Sequence, residues 1–223
     1  DFNALHNRTS NLNDSFTDYI DALGLKVFRS RRVVEWMTAQ RWQEIKDEYG
    51  SETLDVFGVS GALPCFRRSS LEDVSFVDGT FFDESYGSYK EDVDLAYRLR
   101  SAGYSSVVLL DTVSYHDRSA AGPKQLSDKA AMQNKKEQSE WVKYHSYKNH
   151  IATLIKNEYP SNLFQDVLPM LWYEFKKFVW YLLFDRTVLM GLKDIDWKQV
   201  FKRRRQIMRK RTVSAQAIRM WFT

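Results

Sequence analysis

Apolar and polar positions change rhythm several times along the chain. Up to residue 20 the sequence is polar and asparagine-rich with no sustained period, the pattern of a loop or poorly ordered arm. Leu23-Gly24-Leu25-Lys26-Val27-Phe28 reads as a turn feeding a short strand, with Val27 and Phe28 as its apolar part. Arg29 to Arg32 is a basic run that fits a solvated loop. From 33 to 50 the apolar side chains fall at mixed spacing (Val33, Val34, Trp36, Met37, Trp42, Ile45), which a short helix or an irregular covering loop would both satisfy. Val56 to Phe66 is an apolar run holding Gly58 and Gly61. It predicts a buried strand whose glycines admit another backbone or a ligand. Arg67 to Asp73 predicts a short helix with serine caps, and Val77 to Tyr89 a loop of glycines and aromatics.

The clearest helix runs from Glu91 to Ala102. Val93, Leu95, Ala96, Leu99 and Ala102 give it an apolar face, and Gly103 is a natural stop. Acidic residues fill its first turn and Arg98 and Arg100 its last, which complements the helix dipole. Ser106 to Leu110 predicts a buried strand, so helix, glycine and strand make an α/β step. After Ala120-Ala121-Gly122-Pro123 the composition shifts. Lys129 to Tyr159 is polar and helical in character, and Leu163 to Phe184 is apolar and aromatic. Lys198 to Trp221 is a basic helical segment. No internal repeat or low-complexity tract is present.

At 223 residues, 43% hydrophobic and 28% charged, the chain has the make-up of an ordinary soluble protein, one large domain or a domain with a helical appendage. A net charge of +4 is too mild for a general polyanion binder, but the basic residues gather near the C-terminus. Cys65 is the single cysteine, which excludes an internal disulfide and a cysteine-based zinc site and fits a reducing compartment. Asn7-Arg8-Thr9 and Asn13-Asp14-Ser15 match the glycosylation sequon; with no secretion signal in view they are read as chance matches.

Three features between Val56 and Ser119 could carry chemistry. The first is the acidic cluster Glu91-Asp92-Val93-Asp94. Carboxylates at a helix start can simply offset the dipole, or one can face a cleft and take a proton from an incoming hydroxyl. As a metal pair Asp92 and Asp94 are poorly placed, since residues two apart on a helix point about 200° away from each other. The second is the small-residue stretch Gly58, Ser60, Gly61 and Ala62, which allows either tight packing or room for a substrate beside free amides. The third is His116, with Ser114, Asp117 and Arg118 around it at the end of an α/β strand. It reads as a hydrogen-bonded structural residue or as a group delivered to a site.

In order, these motifs resemble the second half of a family 2 glycosyltransferase of the GT-A fold, closest to the rhamnosyltransferase-like enzymes that build bacterial surface polysaccharides. The matching residues are Val56 to Ala62, Arg67 to Asp73, Phe82 to Glu84, Tyr89 to Arg100, Ala102 to Tyr104 and His116 to Ser119. The resemblance implies an inverting transfer from a nucleotide-sugar donor to a saccharide or lipid-linked acceptor. In it Asp92, with Glu91 beside it, is the general base, Ser60, Gly61 and Ala62 line the substrate pocket, and His116 helps bind a divalent cation (Mg²⁺ or Mn²⁺). The nucleotide-binding βαβ half that opens the family's fold, with its Asp-x-Asp motif, is not found, and Asp194-Ile195-Asp196 lies in the tail. The expectation is therefore an α/β chain in two parts. Residues 1–122 would be the C-terminal portion of a GT-A (Rossmann-like) domain, and 123–223 a helical, aromatic and basic tail.

The tail leaves alternatives open. Leu163 to Phe184 contains Asp166, Pro169, Glu174, Lys176 and Lys177, which argue against a straight transmembrane span. Trp172, Trp180 and Tyr181 with the two lysines between them suit an interfacial helix, and a helix packed on the domain fits equally. Lys198 to Arg211 holds eight lysines and arginines and no acid, which suits anionic lipid on the cytoplasmic membrane face. Nucleic acid is the competitor, without a recognisable motif to support it. The second functional reading is a non-catalytic binding or scaffold protein at a membrane surface.

Overall fold

The computed structural model describes residues 16–49, 52–116 and 128–223. The N-terminal arm through residue 15, both sequons, Asp117 to Ser119 and the 122/123 boundary lie outside the described residues.

Two short antiparallel ladders form the sheet portion. Strand β1 (Leu25–Val27) pairs with β2 (Val33–Glu35), Leu25 opposite Glu35 and Val27 opposite Val33. A short helix, α1 (Trp42–Ile45), and a 3₁₀ turn lead to β3 (Thr53–Val56). Strand β3 pairs with β4 (Ser106–Leu109), Val56 standing opposite Ser106. The ladder runs out at that pair, so the strand expected over Val56 to Phe66 ends where it was expected to begin. Phe57 turns into the core, and Gly58 makes a single bridge to Leu25 through a 2.8 Å hydrogen bond from the Leu25 amide. Nor is β4 buried: Val107 and Leu109 are about half exposed, because alternate side chains of this edge pair face solvent.

The helices are α2 (Arg68–Val74), α3 (Glu91–Ser101), α4 (Asp128–Glu137), α5 (Glu140–Asn157), α6 (Pro160–Gln165), α7 (Val167–Phe184), α8 (Arg186–Met190), α9 (Trp197–Lys210) and α10 (Ala215–Arg219). With 53% helix and two two-stranded sheets, the chain is mixed α/β with a mostly helical C-terminal region. Among the described residues no helix is long and apolar enough to cross a membrane.

Helix α3 is the centre of the molecule and is buried on nearly every side. Its apolar residues Val93, Ala96 and Tyr97 join Leu25, Val27 and Phe57 in one core, which Ile218 and Phe222 from the far end of the chain complete. Leu95 and Leu99 meet Val74 of α2 in a second cluster. The approach to β1 is so close that a Cβ on Gly58 would lie 2.3 Å from that of Ala96, so only glycine fits there.

Because α3 is enclosed, its charged side chains need buried partners. Asp94 accepts from Arg98 (3.0 Å) and from Asn157 (2.8 Å), and it pairs with Lys156 at 2.9 Å. Arg98 also donates to the Val74 carbonyl (2.8 Å), and Arg100 reaches the Phe57 carbonyl (3.0 Å) and Asp55 (2.6 Å). These arginines tie loops to the helix, a larger task than offsetting its dipole.

The basic run at Arg29 to Arg32 is not simply a solvated loop. Arg31 is wholly buried, donates to Glu158 (2.7 and 3.0 Å) and Asp166 (3.1 Å), and lies over the Phe222 ring at 4.2 Å.

Candidate functional site

The acidic start of α3 is entered through an unusual backbone. Tyr89 (φ 66°) and Lys90 (φ 71°) both stand in the left-handed region, where a non-glycine residue costs roughly 1–2 kcal/mol. The side-chain amide of Asn149 holds this loop, its two N–H groups shared among the carbonyls of Tyr86 (3.0 Å), Ser88 (2.7 Å) and Tyr89 (2.8 Å). Strain held in place by a buried amide is the kind found where a side chain must be aimed.

The side chain so aimed is Asp92. Its Oδ1 accepts from the Val93 amide (2.7 Å), and its Oδ2 accepts from the Gly61 amide (3.2 Å). Ser60 donates to Glu35 Oε1 on β2 (3.1 Å). The structure thus brings Asp92, Gly61 and Ser60 to one place from segments 31 residues apart, with Gly61 and Ala62 exposed at its rim. Glu91 adjoins; its Oε2 is buried without a hydrogen-bond partner among the described residues. Burial pushes the carboxyls of both Asp92 and Glu91 up; for Asp92 the Lys90 ammonium and the two amides pull the other way. Asp92 and Asp94 have separate neighbours, as two helix residues set about 200° apart must.

Four further residues belong to this region, none of them among the site residues expected from the sequence: Lys90, His150, Glu174 and Lys177. Lys90 is held below its usual range by burial and feels Asp92, Glu35 and Glu91. It also acts on His150 and Lys177, so the acidic pair shares one field with a cluster between α5 and α7. There His150 contacts Glu174 at 2.7 Å, and Lys177 lies 3.4 Å from the same carboxylate. Burial lowers His150 to about 4 and Lys177 to about 8. Burial raises Glu174, but Lys177 and His150 override it and leave it at about 2. The one sequence signal for this group is the i, i+3 spacing of Glu174 and Lys177.

His116 is not joined to the acidic pair by a hydrogen bond. Its Nδ1 lies 3.0 Å from Asp21, and both side chains are substantially exposed. Among the described residues no group of three or more His, Cys, Asp or Glu could hold a metal ion. His116 and Asp21 alone do not make the centre that the resemblance implies. The tail's Asp-x-Asp pair is structural: Asp194 accepts from the Tyr144 hydroxyl, and Asp196 caps α9 by accepting from the Gln199 amide (3.0 Å).

No protein-family model, curated protein or solved structure matches this chain.

Several residues expected to face a membrane or an anion are structural instead. Trp180, Tyr181 and Lys177 of α7 are buried. In the basic segment Arg203 is buried and pairs with Asp83 and Asp78, and Arg204 donates to the Ile155 carbonyl (2.5 Å). Lys210 donates to the Ser75 carbonyl (2.5 Å) and Arg211 to the Asn157 carbonyl (2.5 Å). The basic residues left exposed on α9 are Lys198, Lys202, Arg205 and Arg209.

Proposed function

We propose that this chain carries the acceptor side of an inverting glycosyltransferase of the GT-A type, with Asp92 as general base. The observation that supports the reading is the placement of Asp92 itself. A carboxylate fixed by the Gly61 and Val93 amides stands at the start of a helix entered through two left-handed residues. Each carboxylate oxygen accepts one amide and keeps a second lone pair for an acceptor hydroxyl. In the transfer that hydroxyl gives its proton to Asp92 while its oxygen bonds the anomeric carbon. The bond to the nucleoside diphosphate breaks on the opposite face, with inversion.

Burial, by raising Asp92, brings its basicity closer to that of the proton it must accept, and base strength near the working pH favours transfer. Glu91, raised by the same cause, adds less like charge beside it than an ordinary glutamate would. Ser60, Gly61 and Ala62 would border the acceptor and donor sugar. A divalent cation, Mg²⁺ or Mn²⁺, belongs to the resemblance, and with His116 and Asp21 alone at hand among the described residues no step is assigned to it. The partners on this reading are a nucleotide-sugar donor and a saccharide or lipid-linked acceptor.

The test is release of nucleoside diphosphate from a panel of nucleotide sugars by the natural protein, with and without Asp92→Asn. A loss of about 10²- to 10⁴-fold in kcat, with the melting temperature unchanged, is expected for removal of a general base. Full turnover by the variant would remove Asp92 from the role. The second reading, a non-catalytic scaffold at a membrane surface, is favoured by the exposed apolar face of α7; it predicts that no nucleotide sugar binds at all.

A further inference from the structure

Helix α7 carries apolar side chains on both its inward and its outward sides. On a helix that packs against a soluble domain the apolar stripe turns inward and the charged residues face water. Here the inward side carries Met170, Trp180 and Tyr181 together with the Glu174–Lys177 pair; Glu174 also pairs with His150 of α5, and Lys177 lies over the rings of Tyr147 (4.7 Å) and Tyr173 (4.9 Å). The outward side carries Leu168 (78% exposed), Leu171 (62%), Trp172 (60%), Phe175 (58%), Phe178 (42%) and Leu182 (40%). Their spacing of three and four residues makes one continuous stripe, about 21 Å long at 1.5 Å per residue. A soluble monomer does not leave so long an aromatic stripe uncovered without a use for it.

The charges around the stripe say what covers it. Every carboxylate in this stretch is turned to a protein cation: Asp166 to Arg31 and Arg219, Glu174 to Lys177 and His150, Asp185 to Lys143. Two cations border the stripe: Lys176 is half-buried against the Trp172 ring at 5.7 Å, and Arg186 is exposed just past the helix end. An apolar face edged by cations and cleared of acids complements an apolar layer under anionic headgroups. A second copy of the chain is a poorer match, since two such faces would meet with cations at their edges while Glu174, the carboxylate of α7, is turned inward to Lys177 and His150. Insertion across a bilayer is closed to this helix, which is not apolar enough along its full length. The exposed side of α9 has a like composition, Phe201 and Met208 among Lys198, Lys202, Arg205 and Arg209.

We propose that the outward face of α7 is a docking surface for an anionic lipid bilayer, with the helix lying in the headgroup plane and Leu171, Trp172 and Phe175 reaching into the acyl boundary. This surface does not rest on the transferase reading, and either can fail without the other.

The experiment is co-sedimentation of the full chain with phosphatidylcholine vesicles, with and without phosphatidylglycerol, alongside the oligomeric state without lipid. The chain is expected to pellet with the anionic vesicles and to be released in part by salt. Leu171→Glu combined with Phe175→Glu is expected to weaken binding by at least about tenfold, since each side chain gives up apolar burial in lipid. Both residues are exposed, so the melting temperature should not fall. Phe175→Gln, a milder change, reads the same loss should the double variant prove unstable. Lys176→Glu should weaken binding to anionic vesicles alone. Three results would overturn the proposal: a chain that stays in the supernatant, binding indifferent to the α7 variants, or a lipid-free dimer that the double variant converts to monomer.

Discussion

Asp94 and Lys156 show how much a single buried charge can control in this chain. Both side chains are inaccessible to solvent, and Lys156 also pairs with Asp83, another buried acid. Burial raises the Asp83 carboxyl, yet the Lys156 ammonium, with Ser85 and Arg203, more than offsets this and leaves it at about 2. Replacing Lys156 by methionine takes a cation away from two buried carboxylates, leaving Asp94 with Arg98 and Asp83 with Arg203, and the expected cost is up to about 3–5 kcal/mol in a denaturant melt. The exposed pair Arg68–Glu72, although as short at 2.8 Å, is the contrasting case. Arg68→Ala should leave the denaturation midpoint nearly unchanged, because water and salt screen an exposed ion pair. Equal effects from the two substitutions would refute the division between them.

Between elements, the contact of α5 with α7 through His150 and Glu174 makes stability depend on pH. His150 is held near 4 in the folded chain, below its unfolded value of about 6.5. The unfolded chain therefore binds the extra proton first as pH falls. The contribution is complete above pH 6.5 and is lost on going down to 4, with a slope of up to about 1.4 kcal/mol per pH unit. Glu174 and Asp83, both depressed to about 2, add a further loss below the ordinary carboxylate range. Unfolding midpoints measured from pH 7 to 4 should fall, and His150→Gln should flatten that fall.

Asn149 on α5 is the other link between elements. Asn149→Ala removes the amide that holds Tyr89 and Lys90 left-handed, leaves three carbonyls short of a donor, and should cost about 1–3 kcal/mol. On the proposed function it should also lower transfer more than the loss of folded protein explains. A variant that melts lower yet turns over normally would mean the strain at Tyr89 and Lys90 is unconnected to Asp92.

Taken as a whole, the molecule is closed by its last residues, and this is where the sequence was hardest to read. Helix α3 was legible because its period, its acidic start and Gly103 are all local. The meeting of Gly61 with Asp92 was legible only as the order of motifs. Arg31 was not, since a basic run reads as solvated until Glu158 and Asp166, 127 and 135 residues away, are placed beside it. The inward turn of Lys177 was hidden for the same reason, the Tyr147 ring it lies over being on another helix. So too with the C-terminal strand-like end: the Thr223 amide donates to the Val27 carbonyl (3.1 Å), the Arg29 amide donates to Thr223 (3.0 Å), and Phe222 fills the core beside Val27 and Tyr97. Residues from both expected parts of the chain thus share one core, and they should unfold together. Phe222→Ala is expected to cost about 3–5 kcal/mol, the penalty of emptying a buried aromatic site. Amide exchange at residues 25–27, in α3 and in α10 should then speed up by one common factor. Faster exchange confined to α10 would mean that the tail opens by itself and that the core around α3 holds without it.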